Sequence, residues 1–336
     1  MREPAFWRTD APRGSAALTR ALLRPLAALY AWAGRRRLAR TLPQSVDCPV
    51  ICVGNLTLGG TGKTPISQTI LARLEAMGIK AQALSRGYGG KLKGPVEVDP
   101  DHHAAADVGD EPLLLARSAP VWVSRDRPAG AQAAFEAGAQ MIIMDDGHQN
   151  PTLKKDLSII VIDGVAGWGA NLVFPAGPLR EPVQDGLARA DAVIVMTPGP
   201  DHIPRYQALG LDTLEIPVLQ AWLAPLEAPP AGALIAFAGI GRPGKFFDSL
   251  ARAGADVRDQ ADYPDHHPYS ASDLNWLEAL AQKHEAQLIT TEKDWVRLPA
   301  DFRKRVTAWP VRAEFANPAA LDALLHRVVD AASEHG

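Results

Sequence analysis

The sequence predicts an α/β chain: a parallel sheet flanked by helices, a smaller second α/β domain and an N-terminal amphipathic helix. Three observations support this. Short apolar runs alternate with helix-period segments from residue 49 onward, a proline-rich stretch divides that alternation in two, and leucines recur at helical spacing before it begins.

Between residues 15 and 32, Leu18, Leu22, Leu26 and Leu29 fall at helical spacing, with Arg20 and Arg24 interrupting and Arg35-Arg36-Arg37 following. No uncharged apolar stretch reaches the ~18 residues of a membrane-spanning helix. Residues 1–40 hold nine arginines against Glu3 and Asp10, a net +7, so the other 296 residues sum to −10 within a chain net of −3. A basic amphipathic segment carrying Trp7, Tyr30 and Trp32 suits a membrane interface with anionic lipid. It equally suits a helix packed on the protein's own core, with Pro25 weakening it in isolation. The overall negative charge argues against a general nucleic-acid binder. Two cysteines, Cys48 and Cys52, make neither a disulfide framework nor a four-ligand zinc site, and read as core residues of a protein in a reducing, cytoplasmic setting.

The first α/β set has expected strands at 50–53, 80–84, 121–124, 141–144, 157–162 and 192–196. The helix after the first strand presents Ile66, Ile70, Leu74 and Met77 on one face, tolerates Pro65 in its first turn and stops at Gly78. Prolines 217, 225, 229 and 230 mark a connection or hinge. The second set has expected strands at 233–238, 255–259, 287–290 and 306–310, with helices from Pro243 and from Ser270, where Ser270-x-x-Asp273 forms a capping box. The expected division is 1–40 for the N-terminal segment, 41–224 for the larger domain and 225–336 for the smaller one.

Between the first strand and its helix lies Thr57-Leu58-Gly59-Gly60-Thr61-Gly62-Lys63-Thr64. Glycines expose backbone N–H groups, a lysine reaches outer phosphates and a hydroxyl serves magnesium, which are the requirements of a P-loop binding ATP. The sheet is therefore expected to be of the P-loop NTPase type. Thr57 stands where the first glycine of that pattern is expected, so the loop should begin differently here. Met141-Ile142-Ile143-Met144-Asp145-Asp146-Gly147 ends a buried strand in two carboxylates, at the sheet edge where a metal would sit; an ordinary Asp-Gly turn gives the same letters. A base for transfer to a hydroxyl is available from Asp110, in Val108-Gly109-Asp110-Glu111-Pro112, or from the histidines of Asp265-His266-His267, which also read as solvated loop residues.

Together these segments resemble one family, the tetraacyldisaccharide 4′-kinases of lipid A biosynthesis. The resemblance also takes in Ser85-Arg86-Gly87-Tyr88-Gly89, Asp145-Asp146-Gly147-His148-Gln149, Pro175-Ala176-Gly177-Pro178-Leu179-Arg180-Glu181, Ala238-Gly239-Ile240-Gly241 and Thr291-Glu292-Lys293-Asp294, in family order over nearly the whole chain. It implies transfer of the ATP γ-phosphate to the 4′-hydroxyl of a tetraacylated glucosamine disaccharide 1-phosphate, with Mg2+, at the cytoplasmic face of the inner membrane. It implies Asp110 as base with His266 orienting it, and Lys63 at the transferred phosphate. Thr64, Asp145, Asp146 and Glu181 would lie near the metal, and Arg86, Arg125, Gln149 and Arg180 at phosphates or substrate. A lipid acceptor favours the membrane reading of the N-terminal helix. Trp168 and Ala170 depart from the family pattern, which has a phenylalanine-like residue and a glycine there. The Thr-Glu-Lys-Asp segment invites comparison with nucleotide-base recognition, though a capped helix start explains it equally. The rival reading is a P-loop ATPase acting as a nucleotide-driven switch; such loops begin Lys-Gly-Gly, and Leu58 occupies the lysine position here.

Overall fold

The computed structural model describes residues 4–8 and 13–333; the parts of the expected N-terminal segment at 1–3 and 9–12, and the last three residues of the chain, lie outside the described residues. The strands in chain order are β1 (Val50–Gly54), β2 (Ala81–Ser85), β3 (Val96–Glu97), β4 (Val121–Val123), β5 (Met141–Asp145), β6 (Leu157–Asp163), β7 (Ala192–Thr197), β8 (Val218–Pro225), β9 (Ala233–Ala238), β10 (Asp256–Asp262), β11 (Gln287–Thr291), β12 (Val306–Trp309) and β13 (Val311–Phe315). They form a nine-stranded sheet in the order β13-β8-β7-β6-β1-β5-β2-β4-β3 and a four-stranded sheet in the order β10-β9-β11-β12. Every pairing in the large sheet is parallel except the two edges, β3 on β4 and β13 on β8. Helices cover both faces of such a sheet, so its central strands are buried throughout and read as unbroken apolar runs.

Register positions the chemistry. Val53 pairs with Asp145 on one side and Ile159 on the other, so the loop leaving β1 and the carboxylates ending β5 share the carboxyl edge of the sheet. The helix α2 (Lys63–Ala76), second in chain order after α1 (Arg13–Arg40), buries Ile66, Ile70 and Leu74 against that sheet. Met77 lies just past its last turn and still packs on the core, and Gly78, with φ of 80°, ends it.

Two expectations need correction. The 217–230 segment is not only a connection: Val218–Pro225 is a strand, parallel to β7 and antiparallel to β13, with its prolines at the ends, where a missing N–H costs no internal ladder bond. The expected 225–336 unit also ends early. Strand β13 and the helix Pro318–Ser333 return to the large sheet, where Ala313, Phe315, Leu321, Leu324, Leu325 and Val328 join the core beneath α2. The short edge strand β3 was not legible at all.

The helix α1 turns its leucine stripe outward. Leu18, Leu22, Leu26, Leu29 and Trp32 are all more than half exposed, whereas Ala16 and Ala27 are buried. This stripe is therefore not packed on the protein's own core. No described helix is long and apolar enough to cross a membrane. The Gly167–Asn171 departures are absorbed by packing: Trp168 is a core residue whose indole N–H donates to the Leu209 carbonyl, and the Ala170 N–H donates to the Trp7 carbonyl. Both cysteines are buried, and burial pushes their thiols up to about 11.

Truncating a buried leucine leaves a cavity, and an exposed one leaves none. Leu325→Ala is expected to lower the unfolding free energy by about 2–5 kcal/mol, and Leu26→Ala to stay within about 0.5 kcal/mol, both read by urea denaturation.

Candidate active site

The loop between β1 and α2 carries left-handed backbone at Gly59 and Gly62, with φ of 108° and 91°. A Cβ on Gly62 would also press on the Met196 side chain at 3.3 Å. Nothing lies within 4 Å of where a Cβ would stand on Gly59 or Gly60, so this side of the loop is open. Thr57 needs no such freedom: it makes an antiparallel bridge to Leu179, and the Leu58 N–H donates to the Pro178 carbonyl at 2.7 Å. The 175–181 motif thus braces the start of the loop, and a β-branched residue suits that extended pairing. Asn55, fully buried, donates from Nδ2 to the Thr57 carbonyl at 2.8 Å. Among the described residues Thr61 Oγ1 is buried without a partner, and Lys63 and Thr64 are buried at the start of α2.

At the end of β5 the two carboxylates diverge. Asp145 Oδ1 accepts from the Ser67 hydroxyl at 3.0 Å, while its Oδ2 is buried with no partner. Burial, followed by the charge of Glu111, pushes this carboxyl upward against the opposing pull of Lys63. Asp146, in left-handed backbone, takes a bidentate pair from Arg180 at 2.7 and 3.1 Å and lies 3.7 Å from Lys63 Nζ. Burial opposes its ionisation, but Lys63 and Arg180 outweigh it and hold the carboxyl well below the usual range. Glu181 is bound by Arg189 at 2.8 and 2.7 Å and accepts from Gln149, which also donates to the Asn55 carbonyl at 2.9 Å. Among the described residues no three His, Cys, Asp or Glu side chains cluster to hold a metal, so Glu181 does not complete a cage with Asp145 and Asp146.

The arginines separate by burial. Arg125 is exposed, its guanidinium donating from Nη2 to the Gly90 carbonyl at 3.4 Å. Arg127, two residues on, is buried: Nη1 donates to the Ser124 carbonyl at 2.5 Å and, among the described residues, Nε has no partner. Burial, then the like charge of Arg86, pulls its guanidinium down to about 10, while Asp146 pulls the other way. Arg127 was missed because a run of Arg125, Asp126 and Arg127 reads as surface charge.

Asp110 and His266 meet across 156 residues, Nδ1 of the imidazole 2.9 Å from Oδ2 of the carboxylate. Asp110 begins the helix Asp110–Leu115, after Gly109, where a φ of 95° and the 2.6 Å that a Cβ would leave to the Tyr88 carbonyl oxygen exclude a side chain. His266 reaches it from the loop after β10 with a φ of 58°, and the Tyr88 ring lies 6.0 Å from the imidazole. His267 faces away, bonded to Asp273 at 3.0 Å and stacked on Tyr263. The Gly241 Cα would carry a Cβ 3.6 Å from Asp265 Oδ2 and 3.7 Å from the Gly60 N–H nitrogen, so the second sheet's loops lie over the P-loop. One further cation was missed, Arg297, whose Nε donates to Asp110 at 3.0 Å; Lys293, set in the sequence between base recognition and a capped helix start, lies 3.5 Å from Glu111. Thr291 caps the short helix Glu292–Trp295, as a helix start requires, and Asp294 is a buried acceptor for Gly239 N–H and Tyr269.

A parallel sheet with a P-loop after its first strand, paired carboxylates on the next strand edge and a carboxylate–imidazole pair above defines a P-loop phosphotransferase. The chain belongs to the tetraacyldisaccharide-1-P 4'-kinase family, whose profile matches residues 19–330. It is 60% identical to the tetraacyldisaccharide 4'-kinase of Maricaulis maris (strain MCS10), covering 100% of this chain and 99% of that one. It is 52% identical to that of Caulobacter sp. (strain K31), covering 97% and 98%. The fold matches the crystal structure of the "apo" form of LpxK from Aquifex aeolicus in complex with ATP, with a TM-score of 0.73 and 26% identity over 92% of this chain and 99% of that one.

The two sheet units are also joined at Asp163. Its Oδ1 accepts the Val165 and Ala166 N–H groups, and its Oδ2 accepts Arg242 and Lys245 of the second unit at 2.8 and 2.5 Å. Burial opposes ionisation, but Lys245 and Arg242 hold the carboxyl below its usual range. A depressed acid contributes stability that is complete above its unfolded value and is lost as pH falls toward the folded one. The gap in unfolding free energy between wild type and Asp163→Asn is therefore expected to be level from about pH 7 to 5 and to shrink below about pH 4, read by urea denaturation across pH.

Proposed function

We propose that this chain transfers the γ-phosphate of ATP to the 4′-hydroxyl of a tetraacylated glucosamine disaccharide 1-phosphate. The observation that carries this reading is the Asp110–His266 pair, held above a P-loop in a chain of this family. A nucleotide switch has no use for a buried carboxylate oriented by an imidazole.

The open face over Gly59 and Gly60 and the first turn of α2 offer backbone N–H groups to the phosphates, and Lys63 neutralises their outer charge. Leaving Asp146 for a phosphate oxygen is a short movement for Lys63, since their contact is a long 3.7 Å. The residues suit Mg2+: Asp145 Oδ2 is an orphaned buried oxygen, and Thr64 lies one turn before the Ser67 that holds Asp145 Oδ1. Thr64, Asp145 and Asp146 would hold the ion, which neutralises charge on the phosphate oxygens when bound. Glu181, committed to Arg189, orients Gln149 against the P-loop. Arg86 and Arg127 supply positive potential on the acceptor side of the edge, and Arg180 holds Asp146 in place; Arg125 stands outside this set. Asp110 takes the 4′-hydroxyl proton as the new oxygen–phosphorus bond forms, and the β–γ bridging bond breaks with its electrons going to ADP.

The lipid acceptor gives the outward stripe of α1 a purpose. Leu18, Leu22, Leu26, Leu29 and Trp32 enter the acyl boundary, and the flanking arginines meet anionic headgroups, so the enzyme works peripherally at the cytoplasmic face of the inner membrane.

Incubation with γ-labelled ATP, magnesium and the disaccharide lipid in detergent is expected to label the lipid; hydrolysis without labelled lipid would favour the switch. Asp110→Asn is expected to lower kcat by about 10²–10⁴-fold with ATP affinity changed less than about twofold. Leu22→Glu with Leu26→Glu is expected to weaken binding to anionic vesicles at least about tenfold, and raised salt to weaken wild-type binding; undiminished co-sedimentation would remove α1 from the membrane contact.

A further inference from the structure

We propose that Lys293 and Arg297 are positioning residues of the transfer, Arg297 fixing which oxygen of Asp110 faces the acceptor and Lys293 holding His266 in one tautomer. The inference rests on Asp110 as the base. Asp110 Oδ2 accepts two donors, His266 Nδ1 at 2.9 Å and Arg297 Nε at 3.0 Å, which occupy both of its lone pairs. Among the described residues Oδ1 accepts only the Glu111 N–H, at 3.0 Å, and keeps one lone pair. Oδ1 is thus the oxygen that takes the hydroxyl proton.

Arg297 cannot swing away from this duty. Its side chain is almost fully buried, and Nη1 donates to the Gly239 carbonyl at 2.9 Å and to Asp294 Oδ1 at 3.1 Å. Asp294 is fixed in turn by Gly239 N–H, the Tyr269 hydroxyl and the Thr291 hydroxyl at 2.8, 2.7 and 2.6 Å. A guanidinium held at this many points is a rigid strut, and a lysine in its place would keep the charge without the fork.

Lys293 Nζ lies 3.4 Å from His266 Nε2, 3.5 Å from Glu111 Oε1 and 3.9 Å from Asp265 Oδ1. An ammonium has only donors, so the imidazole nitrogen facing it is the acceptor, and the ring proton sits on Nδ1, aimed at Asp110. The opposite tautomer would set two lone pairs against each other at the Asp110 contact and release Oδ2. The groups around the imidazole are Asp110 and Glu111 from one helix, Asp265 on its own loop 3.9 Å from Nε2, Lys293 and Arg297 from the 291–297 segment, and the Tyr88 ring. Burial opposes ionisation of Asp110, but the His266 bond and the charges of Lys293 and Arg297 hold its carboxyl well below the usual range. A carboxylate kept open in one direction supplies the acceptor that the hydroxyl proton needs as the new oxygen–phosphorus bond forms.

A purely structural salt bridge would alter stability and leave the pH profile in place. The full-length enzyme is assayed with saturating ATP and lipid across about pH 3.5 to 9, beside calorimetric ATP binding. Lys293→Met is expected to lose about 10- to 100-fold in kcat with ATP affinity within about twofold, and an acidic limb to rise into the range as the charge that holds the Asp110 carboxyl down is removed; Lys293→Arg restores most of the rate. Arg297→Lys is expected to lose about tenfold in kcat. In wild type, 15N spectra of labelled histidine are expected to show His266 protonated at Nδ1 and bare at Nε2, a readout independent of any variant's folding. A Lys293→Met profile that superimposes on wild type, a Lys293→Arg no better than Lys293→Met, or a proton on Nε2 would overturn the proposal. An active Asp110→Asn would instead overturn the base assignment, whereas an inactive Asp110→Asn beside a wild-type-like Lys293→Met removes only the positioning role.

Discussion

A carboxylate taken out of water stays charged only if donors replace the water it lost, and in this chain several of those donors sit in the other sheet unit. Asp110 belongs to the large unit and receives His266 and Arg297 from the small one; Asp163 ends β6 and receives Arg242 and Lys245. Breaking either set would strand a buried charge, a far larger cost than the modest value of an exposed ion pair. The relative placement of the two sheets and the ionisation of these buried carboxylates are therefore one problem with one solution. That coupling explains why the short 291–297 segment is so heavily bonded: Lys293 and Arg297 reach the Asp110–His266 pair, and Thr291 and Asp294 fix the loop at Gly239 beside it.

The large sheet supplies the fixed side of that arrangement. Its parallel register brings β1, β5 and β6 to one edge, and the carboxylates and the phosphate loop follow from strand ends rather than from loop choice. Side chains placed by strands hold position better than those on free loops. Asp145 and Asp146 then differ by environment alone. One is buried with an unmatched oxygen and a single hydroxyl donor, the other clamped by Arg180 and Lys63, so adjacent residues of the same type take different tasks.

Much of this was legible in the sequence because it is local. The strands β1, β2, β4, β5, β6 and β7, the helix α2 and its glycine stop, the capping box at Ser270 and the phosphate loop all show in runs of a few residues. What escaped was set by partners distant in sequence. Strand β8 has half-buried residues at every other position, set between buried ones in its first half and exposed ones in its second, with prolines before and at its end, and only its pairing with β7 and β13 makes it a strand. The return of 311–333 to the first core is a choice between two apolar surfaces that periodicity does not distinguish. Arg125 and Arg127 are alike in sequence and opposite in burial, because Asp126 caps the following helix and turns Arg127 inward. Thr57 looked irregular against a glycine pattern, yet its bridge to Leu179 removes the need for one. The Asp110–His266 pair spans 156 residues, and it was the family resemblance, not local pattern, that joined them.

The outward leucines of α1 look remote from this chemistry, but the helix is tied to the site at its other end. Arg37 donates to the Gln149 carbonyl at 2.9 Å, Arg35 pairs with Asp185 at 2.5 Å, and Tyr30 packs edge-on against Phe174, beside the motif that braces the P-loop. Gln149 in turn reaches both the Asn55 carbonyl and Glu181. A lipid whose acyl chains lie along α1 would thus bring its headgroup toward the edge where β1 and β5 end. The distance between the exposed stripe and the carboxylates is bridged by direct contacts, without a flexible linker. On the proposed membrane reading, a surface-bound substrate needs the active site at a fixed height above the membrane, and a helix bonded at one end to the site and apolar along its outer face would meet that requirement.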